Sequence, residues 1–170
     1  NEKWYDGAKI NWNKFEGENL SKCMNNKGEI DVDMISGCLM LIKRELFMKN
    51  IFLPEDYFMF FEDLDYCANV KEKGYRLIYN NKSIIYHKIS QSSGGEKSPF
   101  YFKYSTRNWY IFMNKYIYKA DNPRKSKLYF YLNRISRVVY FGVLGKSDKS
   151  KAIINGIKEG YKFYKNKEKI

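Results

Sequence analysis

The spacing of apolar and polar residues predicts short elements in the first half of the chain. Residues 1–30 show no sustained period and indicate mainly loop, apart from a short strand in the GAKINWN segment. An apolar run over about residues 32–42 predicts a buried strand. Ser36 and Gly37 interrupt it, and the missing side chain lets another backbone or a ligand come close there. A short helix is predicted over residues 44–49.

The rest of the chain is mostly helical in pattern. Residues 62–73 fit a helix that stops at Gly74. YRLIYN and SIIYHK are two short β-type runs, followed by a small-residue loop, SQSSGGEK. Ser98-Pro99 is an N-cap and first-position pair for a long amphipathic helix. Two further helices are predicted near residues 128–143 and 150–165.

The composition is that of one globular domain able to build a core, since 44% of the 170 residues are hydrophobic and 18% are aromatic. The chain begins at Asn1 without a leader-like segment, and we expect further residues upstream. No stretch approaches the roughly 20 apolar residues that a membrane-spanning helix needs. Cys23, Cys38 and Cys67 are odd in number and lack Cys-x-x-Cys spacing, which favours buried free thiols in a reducing compartment over disulfides or zinc.

The net charge of +12 is unevenly distributed along the chain. Residues 1–97 hold 14 basic and 15 acidic residues, whereas residues 98–170 hold 17 basic and only 4 acidic residues. We therefore divide the chain into a part that holds the candidate chemistry, residues 1–97, and a basic, aromatic helical extension, residues 98–170. Such an extension indicates a polyanionic partner, either nucleic acid or an anionic membrane, or else an ordinary solvated surface.

The candidate chemistry lies in YFMFFEDLDYC, residues 57–67. Glu62, Asp63 and Asp65 fall in the first turn of a predicted helix, whose positive end stabilises anions by roughly 0.3 to 1 kcal/mol each. Capping accounts for one or two acids, but three acids beside Phe58, Phe60 and Phe61 exceed that need. A carboxylate that is partly desolvated by aromatic rings and steadied by a helix end has the tuning of a general base. The residues alone leave capping and catalysis open.

His87 is the only histidine, and it ends the second β-type run. A lone histidine is either a structural hydrogen-bonding residue or one ligand of a metal whose other ligands lie elsewhere. Its position directly before a Ser/Gly loop adds weight to a ligand-binding role, because such a loop can fold over a phosphate.

Several segments together resemble the C-terminal half of bacterial family 2 glycosyltransferases, especially rhamnosyltransferase-like members that build cell-surface polysaccharide. The segments, over about residues 30–118, are DVDMISGCLMLIKRELF, YFMFFEDLDYCANVKEKGYRLIYNNKSIIYHKISQSSG and SPFYFKYSTRNWYIFMNK, with a weaker similarity in AIINGIKEGYKFY. The resemblance implies an α/β fold, here the C-terminal portion of a GT-A domain with a few short mixed strands and a helical extension. It also implies inverting transfer of a sugar from a nucleotide-sugar donor to a lipid-linked glycan acceptor.

The resemblance implies a role for each matching residue. Asp63 matches the aspartate that deprotonates the acceptor hydroxyl. Glu62 and Asp65 match neighbouring acids that hold the acceptor or orient the loop. Ser36 and Gly37 match a pair that lines the acceptor pocket.

The family's donor side is represented by two residues only. His87 matches a histidine that in some relatives joins an Asp-x-Asp motif in binding a divalent cation, Mn²⁺ or Mg²⁺, which holds the diphosphate. Arg107, in TRNW, matches an arginine that we place near phosphate. The family's Asp-x-Asp lies far upstream of the Glu-Asp pair, so Asp31-Val32-Asp33 is interpreted as a decoy. The donor-binding half is then missing, the cation is expected only with it, and the chain alone is expected to be inactive.

The basic extension interleaves lysines and arginine with Trp109, Tyr110, Phe112 and Tyr116. This mixture suits stacking on single-stranded RNA, or a helix lying on an anionic membrane, or plain packing of helix on helix. Because the resemblance implies lipid-linked acceptors, we prefer a peripheral location at the inner, cytoplasmic face of the cytoplasmic membrane over nucleic acid. A non-enzymatic basic module stays as the alternative, and a homodimer formed through exposed apolar surface is also considered.

Overall fold

The computed structural model describes residues 5–20, 28–87 and 97–167. Short strands and helices come first and three long helices follow. Cys23 and all but the last residue of SQSSGGEK lie outside the described residues. The elements are β1 (Ala8–Asn11), β2 (Glu16–Asn19), β3 (Glu29–Val32), α1 (Arg44–Met48), α2 (Glu62–Glu72), β4 (Leu77–Asn80), α3 (Pro99–Lys115), a 3₁₀ turn (Ile117–Lys119), α4 (Pro123–Val143) and α5 (Ser147–Lys167).

The chain divides into two compact units that interleave in sequence. The first takes residues 1–11, 16–58 and 62–87, and the second takes residues 12–15, 59–61 and 88–170. Residues 12–15 and 59–61 belong to the second unit because they pack on its helix α3. The indole Nε1 of Trp109 donates to the carbonyl of Lys14 at 2.8 Å, and Phe61 packs its ring on Phe112.

The first unit holds two small antiparallel sheets, so the α/β class is confirmed. Strand β1 pairs with β2, with Ala8 opposite Asn19 and Asn11 opposite Glu16. Strand β3 pairs with β4 in the same antiparallel sense. One core cluster joins the β3–β4 sheet to α1 and α2, and its buried members are Val32, Leu46, Ile51, Tyr66, Cys67, Val70 and Leu77.

Two predicted strands are wrong. The run over residues 32–42 contributes only its first residue to β3, and the chain is irregular from Asp33 to Lys43. Residues 83–87, the described part of SIIYHK, are also irregular, with the side chains of Ile84, Ile85 and Tyr86 exposed. Beyond β3 the first run makes only an isolated antiparallel bridge, between Met34 and Ala8 of β1, and then turns at Gly37 and Cys38. Among the described residues no strand pairs with residues 83–87, so neither run completes a ladder.

The predicted helices are confirmed, with some longer than expected. Helix α2 spans Glu62–Glu72, and α1 spans Arg44–Met48. Ser98 caps α3 as predicted, since its hydroxyl accepts from the backbone N–H of Tyr101 at 3.1 Å. Helix α4 starts five residues earlier than predicted, because Asn122 and Pro123 form the same cap and first-position pair. Of the described cysteines, Cys67 is a buried free thiol, as predicted, whereas Cys38 is a free thiol that is exposed.

The aromatic residues of α3 form the core of the second unit. Trp109, Phe112 and Tyr116 are buried. Trp109 packs on Phe130 of α4, so the alternative of plain packing of helix on helix is confirmed for Trp109. The rings of Phe112 and Tyr116 pack on Trp12 instead. The guanidinium of Arg134, from α4, lies 4.5 Å from the centre of the Trp109 ring and donates to the Thr106 hydroxyl at 3.1 Å. These rings therefore cannot stack on bases or sit among lipid headgroups. None of the described helices combines the length and apolar character needed to cross a bilayer.

Helices α3 and α5 meet backbone to backbone at two glycines. A Cβ atom added to Gly156 would lie 2.5 Å from the Lys103 carbonyl oxygen and 2.9 Å from the Thr106 Cβ. A Cβ on Gly160 would lie 3.0 Å from the Arg107 carbonyl oxygen. Because the nearest atoms are backbone, they cannot swing aside, and any larger residue must push the helices apart.

We expect Gly156→Ala to lower the free energy of unfolding by about 1 to 3 kcal/mol, the usual cost of overpacking a well-packed contact. Urea unfolding followed by circular dichroism measures the change. Gly142→Ala is the matched control, since Gly142 is an exposed glycine within α4 with nothing within 4 Å of an added Cβ. The control should be neutral or more stable by up to about 1 kcal/mol. Equal effects of the two substitutions would contradict the close contact.

Candidate catalytic site around Asp63

The Asp63 carboxylate connects the first turn of α2 to the loop that carries Ser36 and Gly37. The backbone N–H of Gly37 donates to Asp63 Oδ2 at 3.0 Å, and the N–H of Leu64 donates to Asp63 Oδ1 at 2.8 Å. Each carboxylate oxygen thus has one fixed donor and keeps capacity for a second. Asp63 is half-buried and Gly37 is exposed, so the carboxylate lies beside a surface loop that a ligand can approach.

Burial raises the pKa of the Asp63 carboxyl above its usual value. Hydrogen bonds from the backbone N–H groups of Gly37, Leu64 and Asp63 itself act in the opposite direction but do not cancel the effect of burial. The two influences are those expected of a base that must be ionised at neutral pH and still accept a proton readily.

Glu62 adds a second carboxyl to the same turn. Its pKa is raised first by burial and further by the neighbouring charge of Asp63. The side chain is half-buried, and its Oε2 atom has no hydrogen-bond partner among the described residues. A buried carboxylate oxygen without a donor is costly, and a hydroxyl group of a bound ligand would satisfy it.

The loop opposite Asp63 is anchored by sulfur contacts. The backbone N–H of Ile35 donates to the Cys67 sulfur at 3.3 Å, and this contact fixes the loop to α2. Ser36 is 8% exposed, and its hydroxyl donates to the Cys38 sulfur at 3.3 Å. An added Cβ on Gly37 would lie at ordinary contact distance, 3.5 Å, from the Asp63 Cβ. What the site requires of Gly37 is thus its N–H rather than its lack of a side chain.

Tyr5 belongs to this neighbourhood, and no pattern in the sequence indicated it. Its hydroxyl donates to the carbonyl of Met34, two residues before Ser36. Burial raises the pKa of Tyr5, and the nearby Cys67 and Asp63 raise it further. Because its single O–H is used in the bond to the Met34 carbonyl, Tyr5 holds the backbone next to the candidate site rather than donating to a ligand.

The structure brings some predicted site residues together and leaves others apart. Asp63 and Gly37 are in contact, with Glu62 and Ser36 adjacent to them in the chain. Asp65 is only 1% exposed, which takes it off the surface that an acceptor can reach. Arg107 lies in the second unit, where its guanidinium donates to Asn108 Oδ1 at 2.6 Å and covers the Phe163 ring at 4.9 Å.

His87 lies exposed at the end of the irregular segment after β4. Within residues 5–20, 28–87 and 97–167, no three His, Cys, Asp or Glu side chains are grouped to hold a metal ion. The metal role of His87 and the phosphate role of Arg107 therefore stay predictions.

The Asp31-Val32-Asp33 segment is occupied by ion pairs. Arg76 makes two hydrogen bonds to Asp31, at 2.8 and 2.7 Å, and these bonds lower the pKa of the Asp31 carboxyl. Asp33 accepts from the Ile10 backbone N–H and pairs with Lys71. Both carboxylates thus have structural partners, in agreement with their interpretation as a decoy.

The residues directly before Glu62 adopt an unusual backbone. Phe60 and Phe61 have φ angles of 70° and 72°, in the left-handed region that costs a non-glycine residue about 1 to 2 kcal/mol. The buried amide of Asn108 holds this turn, because its Nδ2 donates to the carbonyls of Met59 at 2.7 Å and Phe60 at 2.9 Å. Two consecutive strained residues next to a candidate base indicate a conformation maintained for function.

The aromatic rings near the acids are placed differently from the prediction. Phe58 is exposed. The Phe60 ring lies 5.2 Å from the Tyr101 ring, and the Phe61 ring lies 5.8 Å from the Phe112 ring.

Comparison with protein-family models, with curated proteins and with solved structures found no match to the chain.

The raised pKa of Asp63 predicts a pH dependence of stability. In the window from about 3.9, the usual value for aspartate, up to the raised value, the folded state binds more protons than the unfolded state. The contribution of Asp63 to stability is therefore full below this window and falls as the pH rises through it. We expect Asp63→Asn to reduce this slope, while Glu62 keeps part of it. Urea unfolding over a pH series measures the slope.

Asp31→Asn is the matched control for that experiment. The pKa of Asp31 is lowered, so its contribution is present above the usual value and is lost as the pH falls through the lowered value. Its substitution should change the slope in the opposite sense. A wild-type slope in Asp63→Asn would contradict the burial of the Asp63 charge.

Asn108→Ala should destabilise the chain by about 2 to 4 kcal/mol, because two part-buried carbonyls lose their donor at a strained turn. Asn114→Ala is the control, since the Asn114 amide donates to the carbonyl of Tyr110 within the same helix, and we expect it to cost only about 0.5 to 1.5 kcal/mol. Urea denaturation gives both values. A smaller loss in Asn108→Ala than in Asn114→Ala would show that the turn does not depend on Asn108.

Proposed function

We propose that the chain is the acceptor-side, base-bearing portion of an inverting glycosyltransferase with a GT-A fold. The observation that carries the proposal is the half-buried Asp63 carboxylate, held by the N–H groups of Gly37 and Leu64 beside an exposed loop. The resemblance of the surrounding segments to family 2 glycosyltransferases supports it. The proposed acceptor is a lipid-linked glycan and the proposed donor a nucleotide sugar.

In the proposed reaction Asp63 accepts the proton of the acceptor hydroxyl. The acceptor oxygen forms a bond to the anomeric carbon as the bond from that carbon to the diphosphate oxygen breaks. The electron pair of the broken bond leaves with the nucleoside diphosphate. Because the Gly37 and Leu64 amides fix both carboxylate oxygens, the base needs little reorganisation when the hydroxyl arrives.

Glu62 is proposed to hold the acceptor. Its buried Oε2 atom lacks a donor among the described residues, and a second hydroxyl of the sugar would supply one. Ser36 and Gly37 would form the opposite wall of the subsite. Asp65, being buried, would support the first turn of α2 rather than touch the glycan.

A divalent cation is proposed to act only together with an upstream donor-binding half. His87 alone among the described residues matches a family ligand, and the described residues hold no metal-binding group of three or more side chains. The cation would hold the donor diphosphate, with Arg107 as a further phosphate contact. We therefore expect the chain alone to transfer no sugar.

The test is Asp63→Asn in the full-length protein that contains this chain. Transfer from a panel of nucleoside diphosphate sugars, measured as nucleoside diphosphate released in the presence of acceptor membranes, should fall about 10²- to 10⁴-fold, the usual contribution of a general base. Donor binding, measured by equilibrium dialysis, should be unchanged.

Asp31→Asn is the control for this test, since Arg76 occupies that carboxylate at the surface, and it should keep full turnover. Glu62→Gln should raise the acceptor KM with a smaller effect on kcat. Wild-type turnover in Asp63→Asn would rule out Asp63 as the base.

A non-enzymatic module that binds RNA or an anionic membrane is the second candidate. The excess of 17 basic over 4 acidic residues after residue 97 favours a polyanionic partner. Burial of Trp109, Phe112 and Tyr116 removes the stacking surface that single-stranded RNA would use. A peripheral location at the inner face of the cytoplasmic membrane is therefore proposed alongside the transfer reaction.

A further inference from the structure

Helix α4 presents an apolar stripe to solvent. Its members are 54% to 82% exposed and follow one another at spacings of four, three, four and four residues, which places them on one face of the helix. They are Leu128, Leu132, Ile135, Val139 and Val143. We call this set the α4 stripe.

The α4 stripe lies on the opposite side of the helix from the residues that pack into the second unit. Phe130 and Arg134 are buried, and Val138 and Phe141 pack against the cluster around Phe102 and Ile153. On a helical projection at about 100° per residue, this packed face is centred roughly opposite to the stripe. Helix α4 is thus apolar on two faces, of which only one is used in folding.

The charges of α4 identify the partner that fits the stripe. The helix contains five basic residues and no acidic residue. Arg124, Lys125 and Lys127 are exposed at its N-terminal end, and exposed Lys146 follows its C-terminal end, so cations stand at both ends of the stripe. An apolar face bordered by cations is complementary to a bilayer surface with anionic headgroups.

Other partners fit the same features less well. A second copy of the chain would bring two acid-free, basic helices together and add repulsion between like charges. Single-stranded RNA binds on aromatic rings, whereas the α4 stripe is entirely aliphatic. No described helix can span a bilayer, so α4 would lie along the surface.

We infer that the α4 stripe is the surface by which this protein binds anionic phospholipid membranes. The aliphatic side chains enter the boundary between headgroups and acyl chains, while Arg124, Lys125, Lys127 and Lys146 contact lipid phosphates. This inference gives a surface to the peripheral location proposed above. Its test does not involve sugar transfer, so its failure and the failure of the proposed reaction are distinguishable.

The experiment is co-sedimentation of the purified chain with vesicles of phosphatidylcholine alone or mixed with phosphatidylglycerol. We expect binding to the mixed vesicles and much weaker binding to the neutral ones. The double variant Leu132→Ser with Val139→Ser should reduce partitioning of the protein onto the mixed vesicles by about tenfold or more, because two apolar side chains no longer transfer from water into the membrane. Both positions are exposed, and an unchanged circular dichroism spectrum confirms that the variant folds.

A matched control replaces two exposed apolar residues outside the stripe, Leu41→Ser with Met48→Ser. It should bind the mixed vesicles as the wild type does. On vesicle binding, a separate variant, Ile135→Trp, should show a blue shift of its tryptophan emission and quenching by brominated lipid. Both effects should exceed those of the unsubstituted chain. This readout places residue 135 itself in the bilayer boundary.

Three results would overturn the inference. The first is equal vesicle binding by wild type and the Leu132→Ser, Val139→Ser variant. The second is a concentration-dependent dimer in sedimentation velocity that this variant abolishes, without vesicle binding by the wild type, which would assign the stripe to a second copy. The third is binding to single-stranded RNA that depends on the stripe in the absence of vesicle binding.

Discussion

The hydrogen bond from the Gly37 N–H to the Asp63 carboxylate is the interaction on which the candidate site depends. It joins an irregular loop to the first turn of α2 across 26 positions of sequence, and it fixes one oxygen of a carboxylate whose charge is already disfavoured by burial. Without it the loop of Ser36 and Cys38 would be held to α2 mainly through the sulfur of Cys67. The position of the Asp63 carboxylate relative to this loop thus depends on this contact, together with the anchor at Cys67.

The helices could be predicted from the sequence because their determinants are local. Ser98-Pro99 marks the start of α3, and apolar residues at helical spacing mark its buried face. The strands could be predicted only in part, because a strand is decided by its partner. GAKINWN and YRLIYN contain β1 and β4, as predicted, whereas residues 33–42 form only the bridge from Met34 to Ala8 and residues 83–87 pair with no described strand. The early start of α4 is encoded locally by Asn122-Pro123, so it too could be predicted from the sequence.

For the site, the sequence indicated the three acids and the Ser36-Gly37 pair, and it missed Tyr5 and Asn108. Three acids in one helical turn were conspicuous, and Asp63 proves to have the partly buried environment expected of a base. Tyr5 lies in a stretch without periodicity, and the amide of Asn108 supports a turn 48 residues upstream of it. Such roles depend on where the backbone passes, and no local pattern in the sequence reports that.

Helix α4 keeps its packing contacts and its proposed membrane-facing stripe on separate residues. Phe130 and Arg134 join it to its own unit, and the stripe from Leu128 to Val143, more than half exposed at each position, contributes less to that packing. Substitutions along the stripe can therefore accumulate with little effect on whether the chain folds. Substitutions in the packed face can be compensated by changes in the residues they contact, without altering the outer face. Selection can thus adjust the two properties independently of each other.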